Sequence, residues 1–157
     1  MKRIIFFLLA LLVTAGFILF SCLYYDVQDL PLPELYGRVS GEALFTKDPA
    51  DSLKFRQNLD LSPELFDEVL YVAPQGFMDV EELILIKSSD SAALDEAEKA
   101  IEKRLEARKN TFETYAPEEY GLLSNAKVYR RGPYLFFVVH PDAESVIRIL
   151  SESVGRL

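Results

Sequence analysis

Cysteine and histidine are nearly missing from this chain. Cys22 is the one cysteine and His140 the one histidine among 157 residues. A single cysteine leaves no internal disulfide to close, whatever the redox compartment. One cysteine and one histidine cannot make a Cys/His zinc site within a chain. Nor is a Cys/His or Ser/His/Asp catalytic arrangement read from the residues. Basic side chains are also in short supply: 17 Lys and Arg face 25 Asp and Glu, a net charge of -8. Lys2 and Arg3 stand at the start, so the rest carries 15 basic against 25 acidic residues, a net of -10. A part this acidic repels phosphate backbones, which argues against nucleic acid as a partner. It also disfavours contact with anionic lipid head groups. Cationic partners remain electrostatically allowed. The chain has no internal repeat and no low-complexity tract. No catalytic residue, metal ligand or cofactor is assigned from the sequence.

One long hydrophobic run is present, and it lies at the start. Lys2 and Arg3 precede unbroken apolar residues 4–20, and Ser21 and Cys22 close the run. A basic flank before such a run reads as an export signal or a membrane anchor with its basic end in the cytoplasm. Two mechanisms fit. Leu19-Phe20-Ser21-Cys22 resembles a bacterial lipobox, in which cleavage before Cys22 makes it the lipidated N-terminus. Ser21 suits that pattern and Phe20 departs from it. Alternatively the run stays as a helix: residues 4–23 at about 1.5 Å each reach the thickness of a hydrocarbon core. Tyr24 and Tyr25 then fall at the interface, where aromatic side chains belong. Both mechanisms put the rest at the cell membrane, on its extracytoplasmic face.

The remaining residues divide into a tether and poorly defined segment, 26–60, and an α+β domain, 61–157. Pro31 and Pro33 stiffen the tether. Residues 36–60 show scattered apolar positions and weak periodicity. Ser62-Pro63-Glu64 opens a short helix by its capping residue, its proline and its acid. Residues 69–73 are β-branched and aromatic and predict a strand, as does the apolar run of Glu82–Lys87. Residues 91–115 form the clearest element, with Leu94, Ala97, Ile101, Leu105 and Phe112 at helical spacing. Pro117 stops that helix. Lys127–Arg131 and residues 134–140 predict two strands joined by Gly132-Pro133. A last helix carries Ala143, Val146, Ile147, Leu150 and Val154 on one face. The expected fold is therefore α+β, a four-stranded antiparallel sheet of two β-β-α units with the two longer helices on one face. The domain is expected to fold from about Leu61 onward without the preceding residues.

Several stretches resemble a bacterial family known only as a domain of unknown function. They are Glu82-Leu83-Ile84-Leu85-Ile86-Lys87, Glu102-Lys103-Arg104-Leu105, Tyr115-Ala116-Pro117-Glu118-Glu119-Tyr120 and Asn125-Ala126-Lys127-Val128 to Gly132-Pro133-Tyr134. The resemblance covers about residues 60–155 together with the N-terminal run. It implies a small, secreted or membrane-anchored protein of Gram-positive bacteria, and it implies no activity.

Arg104 and Arg108 lie one helical turn apart. With Glu81 or Glu82 at the start of the central strand they make either an ion pair joining helix to sheet or a cationic socket for a carboxylate or phosphate. Tyr115, Tyr120, Tyr129 and Tyr134 either cover the core edge or form an aromatic patch for glycan or peptide. Arg130 and Arg131 read as a solvated hairpin tip, with docking as the alternative. His140 is expected near the start of the last helix. Two functions fit: a membrane-tethered interaction or binding module without catalysis, whose partner is an envelope protein or wall component, or an accessory enzyme or ligand-binding factor of envelope metabolism that uses these arginines and carboxylates. A concave pocket holding Arg104 or Arg108 is the feature that bears on the choice.

Overall fold

The structure is a computed structural model that describes Thr14 and residues 27–155. The expected membrane segment, 1–25, and the lipidation candidate Cys22 therefore lie outside the described residues, Thr14 apart. Among the described residues no helix is long and apolar enough to cross a membrane.

Two strands organise the rest. Glu82–Lys87 (β2) and Tyr134–Val139 (β4) are buried along almost their whole length. A strand that buries successive residues buries both of its faces, since neighbouring side chains point to opposite sides. Glu68–Val72 (β1) and Lys127–Arg131 (β3) flank them, giving an antiparallel sheet in the order β1-β2-β4-β3. The register pairs Leu70 with Leu85, Leu85 with Phe136, and Phe136 with Tyr129. Gly132 links β3 to β4 at φ 54°, the left-handed conformation that a glycine-first two-residue hairpin loop needs.

Five α-helices are formed by the described residues, and they cover both faces. On one face, Tyr71, Ile84, Ile86, Leu135, Phe137 and Val139 pack with Ser91–Phe112 (α3), Ser52–Leu59 (α2) and Pro117–Ser124 (α4). On the other, Leu70, Val72, Leu83, Leu85, Phe136 and Val138 pack with Leu32–Gly41 (α1) and Ala143–Val154 (α5). Asp51, Asp90 and Asp142 cap α2, α3 and α5 by accepting amide hydrogen bonds in the first turn. The α+β class and the four-stranded antiparallel sheet match the expectation. The placement of both longer helices on one face does not: α3 and α5 lie on opposite faces, because β2 and β4 present two apolar surfaces and each needs a cover.

The described part of the expected tether and poorly defined segment, residues 27–60, is packed into the fold. Leu32, Leu35, Val39, Phe45, Phe55 and Leu59 are all buried in the core. Residues 27–32 are stitched to one end of the sheet. Val27 bridges to Gly155, and the Gln28 amide donates to the Val154 carbonyl at 2.9 Å. The Leu30 amide donates to the buried Tyr134 hydroxyl at 2.7 Å, and the Leu32 amide donates to Glu68 Oε2 at 2.9 Å. Short helices such as α1 and α2 have little stability of their own and form against a packed surface, here through Leu32, Leu35 and Val39 of α1 and Phe55 and Leu59 of α2 at helical spacing. α3 ends at Phe112, three residues short of the expected 115, and Pro117 instead begins α4, at the first helical position where its missing N–H costs nothing. The expected short helix after Ser62 is a single 3₁₀ turn, Pro63–Leu65.

The strand register also sets two poles. Lys87 pairs with Tyr134 at the pole where Val27 lies against the hairpin glycine Gly132, and Glu82 pairs with Val139 at the other. The length of β2, six residues at about 3.3 Å each, separates them.

Candidate functional site: a cationic cleft over Glu82

Glu82 is the first residue of β2 and is only 1% exposed. Burying a lone carboxylate is costly, so its partners decide whether the fold tolerates it. It has three. Arg104 Nε donates to Glu82 Oε1 at 2.9 Å, and Arg108 Nη1 donates to Oε2 at 3.1 Å. The Tyr71 hydroxyl of β1 also donates to Oε1. The i,i+4 spacing of the arginines on α3 puts both guanidinium groups over the same strand end. Asn58 Nδ2 donates to the Tyr71 hydroxyl at 2.6 Å, so α2 joins the network. Burial, and then the Glu82 charge, push the Tyr71 phenol far above its ordinary value, so it stays protonated and remains a donor.

The same guanidiniums hold backbone. Arg104 Nη1 donates to the Asn58 carbonyl in the last turn of α2 at 3.3 Å, where a cation meets the negative end of the helix dipole. Arg108 Nη2 donates to the Asp79 carbonyl in the β1–β2 loop at 2.8 Å. Asp79 organises that loop. Its carboxylate accepts from the Gln75 amide at 2.7 Å, from Lys47 Nζ at 2.7 Å and from the Glu81 amide at 3.1 Å. Burial works to raise its pKa, but the Gln75 amide and Lys47 outweigh it and hold the carboxyl below its ordinary value.

Between α2, α3 and this loop lies an open cleft of about 270 Å³, lined by Lys54, Asn58, Phe77, Arg104, Arg108, Thr111 and Phe112 with Pro74 and Gly76. Its charged residues are three cations; among the described residues no acidic side chain lines it. A second cavity of about 240 Å³ shares Asn58, Arg104 and Arg108 and adds Lys103 and Asp60. Each arginine commits two of its five N–H donors to the fold. The others are available to water or a bound anion.

The site residues read from the sequence thus separate. Glu82, Arg104 and Arg108 come together. Glu81 turns away and pairs with Lys47 at 3.2 Å. The four tyrosines do not form one patch. Tyr134 is buried and Tyr129 stacks on Phe136 at 6.0 Å on the α1–α5 face, while Tyr120 packs on the other core. Tyr115 is half exposed and stacks on Phe77, a residue that sequence reading passed over. Arg130 is not a solvated tip: it reaches Asp95, Glu98 at 3.3 Å and Ser91 Oγ at 2.9 Å on α3. Arg131 lies against Gly155, where a Cβ would collide with its guanidinium. His140 Nδ1 accepts the Asp142 amide at 3.0 Å just before α5. Lys54, Asn58 and Tyr71 were also missed. The Asp51-Ser52 start and the Phe55/Leu59 pair at i,i+4 were the signal for the helix that carries Lys54 and Asn58.

A family model described as a domain of unknown function, DUF4358, matches residues 42–140, which include every residue lining the cleft. No curated protein and no solved structure matches the chain.

Proposed function

The chain belongs to the DUF4358 family, whose description carries no activity, and from that premise we propose that it is a non-catalytic binding module, tethered by its N-terminal segment to the outer face of the cell membrane, that takes an anionic group in the cleft between α2 and α3. The observation that carries this reading is the charge of the cleft. Lys54, Arg104 and Arg108 converge there without an acidic neighbour in the lining, although the whole chain is at -8. Glu82 neutralises one cation and is itself covered, so the cleft keeps a positive surplus. A positive concavity in an acidic protein focuses anions locally even where the overall field repels them. Both Glu82 oxygens are committed to Arg104, Arg108 and Tyr71, which leaves this carboxylate unsuited to proton transfer with a ligand.

The two poles of the sheet support the tethered arrangement. Val27 lies at the Lys87 pole and the cleft opens at the Glu82 pole. A membrane anchor in residues 1–25 would leave from the far side of the domain, with the cleft directed outward toward the envelope. The partner is then an anionic wall component or envelope protein.

Titration of the full chain in detergent micelles with inorganic phosphate, followed by calorimetry, tests the reading. Binding that weakens with salt and with Lys54→Gln is expected, since Lys54 is exposed and makes no side-chain bond to the network. Absence of phosphate binding at millimolar concentration would sink it.

A further inference from the structure

The geometry points to an anionic sugar as the occupant of this cleft: a pyranose carrying a phosphate or carboxylate, its ring on Phe77 and its charge on Lys54, Arg104 and Arg108. This deepens the anion-binding reading above and rests on it. Phe77 is 73% exposed, the most open of the large apolar side chains among the described residues. Its loop is nevertheless held in place, by Asp79 on the Gln75 amide and Lys47 and by Arg108 on the Asp79 carbonyl. An open aromatic ring on a fixed loop is a platform prepared for a flat partner.

Three distances define what that partner looks like. Tyr115 lies parallel to Phe77, with planes 6° apart and centroids at 6.5 Å, and extends the aromatic surface beside the cleft. Phe112 lies 6.0 Å from Phe77, and the Arg108 guanidinium carbon lies 5.9 Å from Phe112. Platform and cation are therefore within about 12 Å of each other, the reach of one charged ring unit or two. A pyranose presents a C–H face that a single aromatic ring covers, while its hydroxyl rim stays in water. A nucleobase can also stack on Phe77, so a nucleotide is the competing occupant. An apolar peptide side chain would cover Phe77 but leave the cations without a counter-charge. The volume of about 270 Å³ is below the 300–1,000 Å³ of drug-sized sites and admits one sugar unit with its neighbours in solvent.

The full chain in detergent micelles, titrated with inorganic phosphate, glucose, glucose 6-phosphate, glucuronate and adenosine monophosphate, tests the assignment. At least one charged sugar should bind on the order of tenfold tighter than phosphate, the size of one good aromatic contact, and free glucose should bind weakest. The tighter of glucose 6-phosphate and glucuronate tells which anionic group is taken. Phe77→Ala should cut the ratio of sugar-anion to phosphate affinity about tenfold, with an unchanged thermal midpoint because Phe77 is exposed. If phosphate binds but neither charged sugar binds more tightly, or if Phe77→Ala leaves the ratio alone, the sugar assignment falls and the anion site stands. Tighter binding of adenosine monophosphate overturns it in favour of a nucleotide. No binding of phosphate or charged sugar overturns the sugar and the anion site together.

Discussion

Arg104 Nε stands 2.9 Å from Glu82 Oε1, and this bond joins the middle of α3 to the first residue of β2. It takes place at a buried carboxylate, so its loss is felt twice, once as a missing bond and once as a less compensated charge.

Arg104→Leu should therefore lower stability by about 3 kcal/mol, at the lower end of the cost of breaking a buried pair because Arg108 and Tyr71 still serve Glu82. Denaturant unfolding of the chain from Val27 onward measures it. Loss of under about 0.5 kcal/mol, as at ordinary surface positions, would remove the structural role of this guanidinium.

A chain beginning at Val27 should melt in one cooperative transition, whereas one beginning at Leu61 should not. The shorter chain loses Leu32, Leu35, Val39, Phe45, Phe55 and Leu59 and uncovers the α1–α5 face of the sheet. Dye binding and a broad melt are expected from it. A sharp, dye-free transition of the shorter chain would return residues 27–60 to the status of a tether.

Leu85→Ala and Ile101→Ala should each cost on the order of 2–4 kcal/mol, as for fully buried aliphatic truncation. Leu85 belongs to the core under α1 and α5 and Ile101 to the core under α3, so the sheet stands between them. The double variant should be additive within about 0.5 kcal/mol. Coupling well beyond that would mean the two cores respond as one.

Asp79 carries a pH signature. Its folded pKa is held below the ordinary 3.8, so the stability it contributes is present above that value and is lost as pH falls through the folded pKa. Asp79→Asn should be less stable than the native chain at pH 7, and the gap should close as pH is lowered beneath 3.8. A gap that stays constant across that range would place its origin in shape and not in charge.

Cys22→Ala separates the two mechanisms for the N-terminal segment. With an uncleaved helix, the change leaves size and membrane fraction alone, because alanine is equally at home among apolar residues. That is the expected result. Fatty-acid label that depends on Cys22, with loss of residues 1–21, would establish the lipoprotein mechanism instead.

The strands, α3, α5 and the hairpin were legible because each carries its own signal: an apolar run, a helical stripe, or a Gly-Pro turn that only some backbones accept. The pairing of Arg104 and Arg108 was legible from their spacing on one helix. What local order could not supply was depth. Glu81 and Glu82 are neighbours of the same chemistry, and a one-residue alternation along the strand sends one to Lys47 and buries the other beneath two arginines. Helices α1 and α2 are short and carry only three and two buried residues at helical spacing, and their stability comes from the sheet faces they cover. The cleft is further removed still: Lys54, Phe77 and Arg108 come from three separate segments that share no pattern in the chain. Sequence by itself determined the strands, α3, α5 and the acidic balance, because those depend on neighbours a few residues apart. Only tertiary structure decided the two-sided core and the positive cleft, because those depend on which distant surfaces are brought out of water together.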